Sequence, residues 1–93
     1  MNLATNFINK RPWLKNIFSP SVNETDFHQH SKGKHTWSLK GSKTYQFDLG
    51  IDTLNKAIME AEDNDDPSRQ NLYSIYNGLK DLHVKSQMRT AVF

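Results

Sequence analysis

The stretch DPSRQNLYSIYNGLKDLHVKSQMRTAVF, from Asp66 to Phe93, decides how the chain must be built. It opens on Asp66-Pro67, a carboxylate that can cap a helix followed by a proline suited to the first helical position. Leu72, Ile75, Leu79 and Leu82 then recur at three- and four-residue steps, which lays one apolar stripe along a helix. After Leu82 the apolar phase changes to Val84, Met88, Ala91 and Val92. Asn77-Gly78 weakens the helix, glycine costing roughly 1 kcal/mol against alanine in a helix interior, so a bend or break between Gly78 and Leu82 is expected. The stripe before it faces one neighbour and the stripe after it another. Ending on Ala91, Val92 and Phe93, the stretch carries no helix-closing glycine or asparagine. It reads as apolar surface awaiting a second subunit or further chain.

Upstream, Ile51, Leu54, Ile58 and Ala61 define another helix through about Glu62, capped by Asp52 or Thr53 and ended by Asp63-Asn64-Asp65. Residues 35–47, HTWSLKGSKTYQF, alternate in the strand period on either side of Lys40-Gly41-Ser42-Lys43 and predict an aromatic β-hairpin. Two strands alone are marginal in water, so its aromatic face must cover helices or join a larger sheet. Residues 19–34 offer only Val22 and Phe27 as sizeable apolar groups and read as a linker. Before them, Pro12 to Phe18 predicts a short amphipathic helix. The expected fold is α+β and mainly helical: a flexible basic N-terminal arm over 1–34, then a small α+β region over 35–93 with the hairpin and two or three helices, the leading part of a larger domain. Residues 1–34 are expected to order only against a partner.

Composition narrows the function classes. Hydrophobic residues make up 35% of 93 positions, low beside the roughly 45–50% (glycine included) of ordinary globular chains. There is no cysteine, so neither disulfides nor thiolate metal sites can form. No apolar run approaches the roughly 20 residues that span a bilayer, and no membrane partner is expected. Seven basic against three acidic groups in residues 1–50 give +4, and five against seven in residues 51–93 give −2, a basic arm on a more acidic body. The lysines are dispersed, which reads as a solvated surface, although Trp13, Trp37 and Tyr45 would offer stacking faces to nucleic acid.

Chemistry-bearing patterns are absent or incomplete. His28, His30 and His35 lie close together, but in a polar linker without a fourth ligand, and no metal site is expected. A calcium loop begun at Asp63 would need glycine sixth and glutamate twelfth, where the chain has Ser68 and Ser74. Asp81 and His83 would diverge on a helix, and the nucleophile-elbow, P-loop and dinucleotide patterns are missing. The sequence predicts no catalytic residue, no cofactor and no enzyme. The candidate site is an interaction surface made of Trp13, Phe18, Val84, Met88, Val92 and Phe93.

The order Asp66-Pro67, then Leu72, Tyr73 and Tyr76, then Asp81, His83, Val84 and Ser86 resembles the N-terminal region of portal proteins of tailed phages, particularly the Mu-like and prophage group. The likeness covers residues 51–93. Such proteins usually place a basic residue about eight positions after the histidine, where this chain has Ala91, with Arg89 two positions earlier. The resemblance implies a structural virion component: a subunit of a twelve-membered ring at the capsid vertex through which DNA is packaged and leaves. Its partners would be identical subunits, with capsid or terminase proteins beyond them, and its location the virion, assembled in the host cytoplasm. It also implies that this sequence leads a longer subunit. The alternative is a small free-standing adaptor or nucleic-acid-binding protein of α+β type.

Overall fold

The computed structural model describes residues 3–18, 26–29, 35–40 and 43–91, with side chains of the last helix through Met88. In chain order these form α1 (Leu3–Asn9), α2 (Pro12–Lys15), β1 (Phe27–Gln29), β2 (Thr36–Leu39), β3 (Thr44–Gln46), α3 (Phe47–Asp63) and α4 (Arg69–Ala91). The fold is mixed α+β and mainly helical: a three-stranded antiparallel sheet in the order β1-β2-β3, packed with the α3–α4 hairpin.

The aromatic hairpin is present as β2 and β3, in a register that sets Trp37 opposite Tyr45. Trp37 is fully buried and organises the core. Its ring stacks on Tyr45 at 4.7 Å and on Phe18 at 5.4 Å, while Phe27 meets it edge-on at 5.2 Å. Helix α3 can reach this cluster because position 50 is glycine. A Cβ there would sit 3.1 Å from Leu79 Cδ2 and 3.1 Å from Trp37 Cζ2.

Four features depart from the sequence expectation. Phe27–Gln29, expected as linker, is a third strand. Its short ladder is held by His28 Nε2 and Ser38 Oγ at 2.9 Å, and by Gln29 Nε2 donating to Ser86 Oγ on α4 at 2.7 Å. Phe47, expected at a strand end, begins α3 with Gln46 at the cap position, so Asp52 and Thr53, expected to cap the helix, lie inside it. The described part of the N-terminal arm, residues 3–18, is docked: Ala4, Phe7, Ile8, Leu14 and Phe18 are all core. The remainder of the arm, save Asp26 to Gln29, lies outside the described residues. Finally, α4 has no break near Gly78. Leu72, Ile75, Leu79 and half-buried Leu82 continue in phase to buried Ser86, so one helix keeps one inward face over its described length.

The arm is clamped by Arg11, whose Nε donates to Glu60 Oε2 at 2.5 Å, while one of its terminal nitrogens donates to Phe7 O and its guanidinium lies 3.4 Å from the Phe7 ring centroid. The turn from α3 into α4 follows from local chemistry. Asp66 N–H donates to Ala61 O at 2.8 Å and Asp65 N–H to Glu62 O at 3.1 Å, the paired bonds that close a helix around a left-handed residue. That residue is Asp65, at φ 51°, where glycine is usual. The Asp66 carboxylate then accepts the Ser68 N–H at 2.9 Å and starts α4.

Candidate functional site

With the inward faces of α3 and α4 committed to the core, their outward faces carry what is left. On α3, Leu49, Asp52, Lys56 and Met59 follow one another at three-, four- and three-residue steps, opposite the buried Gly50, Leu54, Ala57 and Ala61. Leu49 is 49% exposed and Met59 59%. Between them Lys56 Nζ pairs with Asp52 Oδ2 at 3.5 Å. On α4, Gly78, Asp81, Lys85 and Met88 repeat that spacing, and Val84 lies beside them. Val84 is 44% exposed and Met88 62%, and Lys85 Nζ pairs with Asp81 Oδ2 at 3.1 Å. Each helix thus presents a stripe with exposed apolar side chains and one solvent-facing ion pair. Exposed pairs of this kind are worth only about 0.3–0.5 kcal/mol within a helix, so they constrain their partners little.

The residues expected to form an interaction surface do not come together. Val84 and Met88 share the outer face of α4. Trp13 is 44% exposed on α2, a separate element. Phe18 is fully buried against Trp37 and is not available to a partner, because the docked arm spends it on the core. Val92 and Phe93 lie outside the described residues. Leu49 and Met59 escaped the sequence reading. Their signal was two apolar residues ten apart, off the phase of Leu54 and Ile58, with Asp52 and Lys56 between them.

The histidines are placed separately. His28 sits at Ser38, and His30 lies outside the described residues. His35 meets His83 at 6.1 Å between ring centroids, and His83 stacks on Phe47 at 4.8 Å. Among the described residues no group of three or more His, Asp or Glu side chains is gathered as metal ligands. Asp81 points into its pair with Lys85 and His83 onto Phe47, so the two diverge as their spacing requires.

A shallow cleft of about 330 Å³ lies at the α3–α4 turn, lined by Glu62, Arg69, Gln70 and Tyr73. Three of its four lining side chains, Glu62, Arg69 and Tyr73, are already engaged. The Tyr73 hydroxyl donates to Glu62, which raises the phenol pKa, and Arg69 donates to Asp65, which raises that of the guanidinium. The Asp66 carboxyl is held below its ordinary value, chiefly by the Ser68 backbone N–H. The cleft is therefore a consequence of the turn.

No helix among the described residues is long and apolar enough to cross a membrane. No family model, curated protein or solved structure matches the chain.

Proposed function

We propose that this chain is a structural, non-catalytic component that works by assembly, contributing to a tailed-phage portal subunit the region that packs against neighbouring subunits of the ring. The observation that carries the assembly reading is the outward face of α4. Val84 and Met88 stand exposed on a helix whose core face is already complete from Leu72 to Ser86. Apolar groups beyond the needs of the core, gathered on one face, are the mark of a contact surface. Support for the portal version is the resemblance of residues 66–86, whose Leu72 and Tyr76 pack inward while Tyr73 and Val84 face out.

Sedimentation tests the assembly reading. The unmodified chain is expected to associate with rising concentration, and a chain carrying Val84→Asp and Met88→Asp to remain monomeric with its helix content intact. An unmodified chain that stays monomeric at every concentration would contradict it. Recruitment of the full-length subunit into rings, lost on the same substitutions, tests the portal version separately.

A further inference from the structure

The two outward stripes carry an Asp–Lys pair followed by a methionine in the same order and at the same spacing. Along α3 the sequence of groups is Leu49, Asp52, Lys56, Met59; along α4 it is Gly78, Asp81, Lys85, Met88. Both run at 3-4-3 spacing, and in both the aspartate precedes its lysine by four residues. Laid antiparallel, the stripes fall into one register. Leu49 meets Met88, Asp52 meets Lys85, Lys56 meets Asp81, and Met59 crosses over Gly78, where no side chain stands in its way. Both stripes run over ten residue steps, about 15 Å at 1.5 Å per residue, so the four rungs stay aligned from end to end. Val84 falls opposite the gap between Leu49 and Lys56.

From this match we infer that the occupant of the α4 outer face is the α3 outer face of a second copy of the same chain, held antiparallel with the Asp–Lys pairs exchanged between copies. The inference rests on the assembly reading above and names its partner and register. Each intrahelical pair is solvent-exposed and releases its charges to the other helix at little cost.

Two other pairings satisfy the charges: α3 on α3, which opposes Asp52 to Lys56, and α4 on α4, which opposes Asp81 to Lys85. Either leaves the other helix's exposed apolar side chains bare. The α3-on-α4 contact covers Leu49, Met59, Val84 and Met88 with a single kind of interface. It is also head-to-tail: each copy offers one face forward and another back, so the contact repeats and either closes into a ring or runs on as a filament.

Reversing the charges of one face separates these arrangements. Asp52→Lys with Lys56→Asp puts like charges against α4 of the next copy, and Asp81→Lys with Lys85→Asp does the same against α3. The expected result is loss of association, seen by sedimentation, in either double variant alone, with helix content retained. Mixing the two variants is expected to restore association, because wild-type faces then meet each other and reversed faces meet each other. Association that survives either reversal would show a face pairing with itself and overturn the inference. Failure of the mixture to associate would overturn it too. If Val84→Asp with Met88→Asp abolishes association while the reversals do nothing, the register is wrong although the assembly reading stands. An unmodified chain that never associates overturns both.

Discussion

Gly50→Ala is the substitution whose outcome the packing around Trp37 most sharply decides. On propensity alone, replacing glycine by alanine within helix α3 should stabilise by roughly 0.8–1 kcal/mol. The structure opposes this. The new methyl group would lie 3.1 Å from Leu79 Cδ2, 3.1 Å from Trp37 Cζ2 and 3.2 Å from Trp37 Nε1, three contacts tighter than ordinary van der Waals packing. Relief requires a neighbour to move, and neither is placed to do so. Trp37 is wedged between Phe18 and Tyr45, and Leu79 is fully buried on α4. Overpacking a core by one methyl group typically costs 1–3 kcal/mol. The net expectation is destabilisation of about 1 kcal/mol, which in a domain of this size lowers the melting temperature by about 4–8 °C. Urea denaturation followed by tryptophan fluorescence would measure it, Trp37 reporting the event directly. A variant more stable than the parent by the full propensity gain would refute the close approach of α3 to the sheet. Gly50→Val, with more bulk at the same point, should be worse.

Two further outcomes follow from named contacts. Arg11→Glu sets a carboxylate beside Glu60 and removes the cation from the Phe7 ring, with an expected cost of about 1–2 kcal/mol. Amide exchange in residues 3–18 should then accelerate ahead of the rest, and unchanged protection there would contradict the clamp. The Asp66 carboxyl has a folded pKa below its unfolded value because it accepts the Ser68 N–H. Its contribution is therefore fully present above the unfolded value and lost as pH falls through the lowered folded one. Asp66→Asn should flatten the acid limb of a stability–pH profile, and an unaltered limb would show that the contact contributes nothing.

Much of the architecture is legible in the sequence where periodicity is strong. The 3-4-3 run of Leu72, Ile75, Leu79 and Leu82 marks α4, and the alternation around Trp37 and Tyr45 marks the hairpin. What escaped is set by tertiary contact. Strand β1 is three residues with one apolar side chain, and its partners, Ser38 and Ser86, lie 10 and 57 positions away. The expectation that residues 1–34 order only against a partner rests on residues 19–34, with Val22 and Phe27 their only sizeable apolar groups, and passes over Phe7, Ile8, Leu14 and Phe18, which are buried in the core. The shift of apolar phase after Leu82 suggests a bend or a break, but the helix runs unbroken over Arg69–Ala91, since later apolar residues can point outward without interrupting it. Val84 and Met88 do so. The α3 half of the candidate surface was hidden because two apolar residues flanking an ion pair make no stripe until the opposite face is known to be buried.

The most direct measurement is of the methionine methyl groups. With methionine methyls isotopically labelled, NMR spectra of the unmodified chain would be recorded across a wide range of concentration. Contact between the outer faces of α3 and α4 of successive copies predicts that the Met59 and Met88 signals shift and broaden together as concentration rises. Signals that both stay fixed, or a response from one while the other is silent, would contradict it.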